Sequence, residues 1–356
     1  MEQIWWKQVT KASNFIDIVT STALQNKSIV LEIPIFVPWY ETMCEIVEDI
    51  LNKKNPENRL DFIDCPEQNV GQYLLENYCK KEKRASYRYG MSYATFLAKS
   101  DDIVLNNYYI WVKNVSKKKL EEWIKFIEEY NKNLPSHMLP AIFILETSEK
   151  NNRGRAAKGI QYIRFSDNIE AYDRFAFCAL ASTNIAIKTF LRPYLVELVS
   201  TICCNDVELC AKCIEKGINF MKEPVETLRS IIATAYHSDG SAFVMNLEAS
   251  YINNLLWESQ IKLIFPIIEK YRSKFVKRHH IELLAALPVT NAFGEVISNP
   301  QDIELGLLTH LVSTKYISLN KRDYNELELF RKARNNLAHL IPLEFDIVEQ
   351  ILLFRD

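Results

Sequence analysis

Apolar positions in this chain follow two rhythms, and the change between them divides it. In the first part, five short runs rich in β-branched and aromatic residues read as strands: Ser28–Ile33, Arg59–Asp64, Tyr108–Val112, Ala141–Leu145 and Ile160–Phe165. Helical periodicity fills the gaps between them. Trp5 to Leu24 gathers Ile4, Val9, Ala12, Phe15, Ile16, Val19 and Leu24 on one side, Glu41 to Leu51 forms a second helix, and Ser116 suits the N-cap of a third from Lys117 to Tyr130. Strands alternating with helices predict a parallel α/β sheet.

From Asp167 onward the strand signal fades and helices are expected over 171–191, 194–203, 207–216 and 224–236, the last with Pro224 in its first turn. His237-Ser238-Asp239-Gly240-Ser241 is a turn cluster. Beyond it comes a long apolar helix in which Pro266 is expected to make a kink, then helices near 303–316, 322–339 and 345–353. His310 is expected to pack within its helix. The division is an α/β domain at residues 1–166, a helical connector at 167–240 and an all-α four-helix module at 241–356.

Composition sharpens this picture. Eight glycines in 356 residues disfavour a turn-rich all-β fold, and 48% hydrophobic with 25% charged residues is the balance of a folded globular chain. A formal net charge of -2 excludes a diffusely basic nucleic-acid coat, so any such contact is local. The opening Met1-Glu2-Gln3-Ile4-Trp5-Trp6-Lys7 lacks a signal-peptide plan, and the longest apolar run, Phe175 to Leu191, is broken by Asn184 and Lys188, so no membrane span and a cytoplasmic location are expected. The cysteines are then expected as thiols. Cys203, Cys204, Cys210 and Cys213 cluster in sequence, but only Cys210-x-x-Cys213 has zinc-ligand spacing, which favours buried thiols over a metal.

The chemistry-bearing stretch lies near the end of the chain, Leu329-Phe330-Arg331-Lys332-Ala333-Arg334-Asn335-Asn336-Leu337-Ala338-His339-Leu340. At about 100° per residue, Leu327, Phe330, Ala333, Leu337 and Leu340 form an apolar stripe, and Arg334, Ala338, Asn335 and His339 form a polar patch beside it. An imidazole moves protons near neutral pH and a guanidinium holds phosphate, the needs of RNA cleavage through the 2′-OH. Asn335, at i, i+4, is placed to orient His339. The plain alternative pairs Arg334 with a carboxylate such as Glu328 or Glu344, with Asn335 and His339 tying down the next turn.

Arg334-Asn335-(three residues)-His339 on a late helix, followed by Leu340-Ile341-Pro342-Leu343 and another helix, resembles the R-x4-6-H signature of HEPN domains. That resemblance covers roughly the last hundred residues. It implies an all-helical module that dimerises with two motifs facing each other, a metal-independent RNase of a defence or toxin-type system, catalytic residues Arg334, Asn335 and His339, and no cofactor. Other members have lost catalysis, which leaves open a non-catalytic adaptor that assembles with partner proteins or nucleic acid.

The first domain resembles the core of AAA-type or STAND-type P-loop ATPases in its order of elements. It departs at the decisive loop, because the first strand runs into Ile33-Pro34-Ile35-Phe36-Val37-Pro38-Trp39-Tyr40 and the first glycine of the chain is Gly71. The third strand ends in Val112-Lys113-Asn114, where an active ATPase would carry a metal-binding carboxylate. A degenerate core without ATP hydrolysis is expected. Two basic segments are candidate RNA contacts: Lys80, Lys81, Lys83, Arg84 and Arg88, interleaved with Tyr87 and Tyr89, and the helix end carrying Lys274, Lys277, Arg278, His279 and His280. A solvated loop and a dipole-matched helix end are the plainer readings of the two. The loop Arg153-Gly154-Arg155-Ala156-Ala157-Lys158 is expected to be exposed.

Overall fold

The computed structural model of the chain describes residues 1–88, 90–99, 104–148, 158–166, 169–290 and 294–354. Tyr89, Asp167 and the loop residues Arg153 to Ala157 lie outside them. The chain forms two compact units, Met1–Ile169 and Glu170–Asp356. The connector and the C-terminal module expected from the sequence therefore fall in one unit.

The first unit opens with α1 (Glu2–Gln8) and α2 (Thr10–Leu24), then β1 (Ser28–Glu32), α3 (Tyr40–Lys54), β2 (Arg59–Asp64), α4 (Val70–Tyr78), the single-turn α5 (Lys81–Arg84) and α6 (Tyr93–Lys99). After β3 (Tyr108–Lys113) and α7 (Lys117–Asn133) it ends with β4 (Ile142–Thr147) and β5 (Ile160–Arg164). All five strands fall where the β-rich runs stood. They make one parallel sheet in the order β2-β3-β4-β1-β5. Alternate residues point to opposite faces of a pleated strand. Val30, Ile110, Val112, Phe143 and Leu145 share a core with Leu74, Leu97, Trp123 and Ile127 from α4, α6 and α7. Helices α2 and α3 pack on the sheet as well, with α1 against them.

One expected helix is two. Val9 is extended, with φ −86° and ψ 123°, so α1 ends there and packs back against α2 with Trp5 and Trp6 wholly buried. The Ser116 cap forms as expected, accepting from the Lys119 amide at 3.4 Å. Gly71 has a packing reason: a Cβ there would meet Cβ of Tyr93 at 2.4 Å, so only glycine lets α4 lie this close to the start of α6.

The second unit is helical: α8 (Ala171–Ser182), α9 (Arg192–Ile202), α10 (Val207–Lys216), α11 (Ile218–Lys222) and α12 (Pro224–Thr234) precede the thirty-residue α13 (Ala249–Arg278). Then come α14 (His280–Ala286), a small hairpin of β6 (Val289–Thr290) and β7 (Val296–Ile297), α15 (Leu305–Ser313), α16 (Lys321–Ala338) and α17 (Phe345–Leu353). The four helices expected in the last module form, and α14 with its hairpin adds to them. Helix α13 continues through Pro266 and packs against α9, α16 and α17. Its seam with α16 is marked by Tyr271 and Phe330, whose rings stack with centroids 3.9 Å apart. His310, expected to pack, is exposed on α15. No helix among the described residues is long and apolar enough to cross a membrane.

Candidate functional site

The Arg334 to His339 stretch is the end of α16. Leu327, Phe330, Ala333 and Leu337 are buried, so the expected apolar stripe holds this helix to the unit. Leu340, which the wheel put on the stripe, is 63% exposed instead. The reason is the helix stop. His339 is the C-cap at φ −100° and ψ 20°, and Leu340 turns left-handed at φ 60°. The Ile341 amide then donates to the Asn336 carbonyl at 2.9 Å and the Leu340 amide to Leu337 at 3.3 Å, the paired bonds of a Schellman stop with leucine where glycine is usual.

That stop is pinned from α13. The Trp257 indole donates to the Leu337 carbonyl at 2.7 Å. The Gln260 side chain, wholly buried, donates to the Leu343 carbonyl at 2.9 Å and to the Tyr194 hydroxyl at 3.0 Å, and its oxygen accepts from the Leu343 amide at 2.6 Å. Two helices thus fix where the motif ends. In the sequence these residues read only as polar positions on an apolar helix, and no local pattern announces partners some eighty residues away.

Around the stop, Ala338 and His339 are exposed while Arg334 and Asn335 are half-buried. Arg334 Nη2 donates to Glu304 Oε2 at 3.1 Å, and Glu304 is 69% exposed. The carboxylate partner expected on the plain reading is thus present, but it is Glu304 at the N-cap of α15. Glu328 instead takes both bonds of Arg331, at 3.0 and 2.8 Å, which hold its carboxyl below the usual range. Arg334 lines a polar cleft of about 350 Å³ with Glu269, Arg272, Asp302 and Glu304. The expected Asn335–His339 bond is not formed, and neither side chain makes a hydrogen bond among the described residues. Their i, i+4 relation assumes helix at both positions, and His339 has already left it.

The other candidate sites fare unevenly. In the basic segment of the first unit, Tyr87 stacks on Tyr93 at 4.7 Å and donates its hydroxyl to the Met91 carbonyl, while Arg84 Nε donates to the Cys79 carbonyl at 2.7 Å. Tyr87 and Arg84 are engaged within the fold, and Lys80, Lys81 and Arg88 remain exposed with Lys83 half-buried. At the end of α13, Lys277 and Arg278 are exposed, and His279 is buried as its C-cap.

All eight cysteines are free thiols. Cys203, Cys210 and Cys213 are buried as expected, Cys203 and Cys213 with sulfurs 3.5 Å apart, but the fourth buried neighbour is Cys178 rather than the exposed Cys204. Burial pushes Cys178, Cys203 and Cys213 up, whereas bonds from Cys178 and Cys203 favour the thiolate of Cys210. Among the described residues no group of three or more His, Cys, Asp or Glu is arranged to hold a metal.

One arrangement escaped sequence reasoning, which read 237–241 only as a turn cluster. His237 Nε2 lies 2.7 Å from Asp206 Oδ2, and its Nδ1 lies 3.0 Å from Ser241 Oγ. The hydroxyl donates to Asp239 Oδ1 at 2.6 Å, so its proton points away from the imidazole. Ser238 also donates to Glu208 through both its amide and its hydroxyl, at 2.6 Å each. The group clasps the turn onto the start of α10; it does not activate a nucleophile.

In the first unit, side chains converge at the carboxyl ends of the strands. Buried Glu146 accepts from the Tyr40 hydroxyl at 2.5 Å and the Trp111 indole at 2.7 Å, and burial raises its carboxyl. Lys113 lies over the Tyr40 ring at 4.9 Å and within 3.9 Å of Glu41. Burial pushes the nearby Cys44 thiol up to about 12. Trp39, before α3, is left-handed at φ 48°, and the Trp6 indole donates to the Pro38 and Trp39 carbonyls at 3.0 and 3.2 Å.

Compared with protein-family models, with curated proteins and with solved structures, the chain gives no match in any of the three.

Proposed function

We propose that the helical unit is a HEPN-like endoribonuclease that works without a metal, with the ends of α16 from two copies facing each other. The observation that carries this is the stop of α16: His339 stands exposed, its ring without a hydrogen bond among the described residues, next to exposed Ala338 and just beyond Arg334. In this reading His339 takes the proton of a ribose 2′-OH, the freed oxygen attacks the adjacent phosphorus, and the bond to the 5′-oxygen breaks as that oxygen takes up a proton from solvent. Arg334 neutralises charge gathering on the phosphate. The products are a 2′,3′-cyclic phosphate and a 5′-hydroxyl. We read the α/β unit as a degenerate P-loop-like core. Its support is an all-parallel sheet with β1 between β4 and β5, a glycine-free segment after β1, and Tyr40 and Trp111 closing on Glu146 where open α/β sheets take ligands.

A second reading, a non-catalytic adaptor, draws on the Arg334–Glu304 pair and the missing Asn335–His339 bond. One assay separates the two. Purified chain is incubated with mixed RNAs in EDTA beside His339→Ala and Arg334→Ala. Cleavage is expected, falling at least about a hundredfold in either variant. Equal cleavage by all three proteins, or none by the parent, excludes the ribonuclease and leaves the adaptor.

A further inference from the structure

A second cleft, of about 650 Å³, runs along α13 on the flank of the α13–α16 seam away from Arg334. Lys270, Lys274 and Arg278 line it, one per four residues, so their Cα atoms climb the helix in steps of about 6 Å. Its floor includes Tyr271, and Glu326 and Phe354 stand opposite. Lys270 and Arg278 make no ion pair among the described residues, and both are exposed. Glu326 is the one acid in the lining; burial and Asp323 raise its carboxyl, while Arg278 and Arg322 pull it down. The result is a largely apolar cleft edged by a row of three cations, in a chain whose net charge is -2.

We infer that this track docks a single strand of RNA, with Lys270, Lys274 and Arg278 on successive phosphates. The occupant follows from charge complementarity. Cations repeating at even steps suit a repeating anion, and a cleft about 12 Å long between its outer cations spans a few nucleotides of an extended strand. Because Arg334 opens onto the other flank, the track holds substrate without touching the reacting phosphate. The inference rests on the ribonuclease reading for its substrate, and it predicts an effect on KM and none on kcat.

The test uses the full chain carrying His339→Ala, which binds without cutting, and a labelled single-stranded RNA of mixed sequence, in EDTA, across a salt series. Adding Lys270→Glu, Lys274→Glu and Arg278→Glu together is expected to weaken binding at least about thirtyfold. The slope of log affinity against log salt should become shallower by about 2, as for the loss of three phosphate contacts. The same three positions changed to Gln, with an unchanged melting temperature, give a smaller loss in the same direction and set aside misfolding. Unchanged affinity and slope in both variants overturn the track while leaving the cleavage assay to judge the ribonuclease. No RNA binding by the His339→Ala parent overturns it as well. So does competition by a mononucleotide as effective, mole for mole, as the strand, since the cleft would then be a small-ligand site. In the cleaving background the Gln variant should raise KM about tenfold with kcat unchanged, and a fall in kcat instead would count against a docking role.

Discussion

At the residue scale, Arg334 is both the phosphate-holding candidate and one half of a surface ion pair. Pairs this exposed contribute about 0.2–1 kcal/mol, so Glu304 restrains Arg334 without locking it. Replacing Glu304 with Gln is expected to tighten RNA binding roughly twofold to fivefold at low salt, measured in the His339→Ala background. A weaker or equal affinity would mean that Glu304 does not compete with phosphate. Arg334 and His339 could be read together in the sequence because their spacing is local. Glu304 was not, since thirty residues separate it from Arg334 and a loop brings it back. The Asn335–His339 bond was legible and wrong: it follows from ideal helical angles, and the cap at His339 cancels them.

At the scale of elements, the five strands were readable because parallel strands buried on both faces are written as nearly continuous apolar runs. The break at Val9 was not, since valine is itself an apolar residue in register with the pattern on either side. Nor was the cluster at the sheet's carboxyl edge, where Tyr40, Trp111, Lys113 and Glu146 come from three separate elements, α3, β3 and β4. That cluster makes a pH prediction. Burial raises the Glu146 carboxyl above its unfolded value, so the folded chain keeps a proton that the unfolded chain gives up. Its contribution is complete below the ordinary carboxylate range and is lost as pH rises through the raised folded value. Glu146→Gln removes the dependence. In thermal melts from about pH 4 to about pH 8, the melting temperature of the variant minus that of the parent should grow more positive with pH. A flat difference would mean the carboxyl is not raised.

At the scale of the whole molecule, two compact units carry separate cores, and a turn cluster at 237–241 looked from the sequence like a boundary between domains. Composition shifts mark chain punctuation, not packing, and α9 lies along α13 across that turn. Gln260→Leu tests how tightly. It leaves the amide and carbonyl of Leu343 and the Tyr194 hydroxyl without their partner, at about 3 kcal/mol, or roughly 6 to 12 °C of melting temperature for a unit this size. A loss under about 2 °C would show that water replaces the amide.

The same glutamine joins three segments that local structure leaves independent: α9, α13 and the strip after the motif. Its consequence is cooperativity. In native-state hydrogen exchange, the amides of α9 and those at the end of α16 should open together as one unfolding unit, so that what loosens the connector also blurs the position of His339.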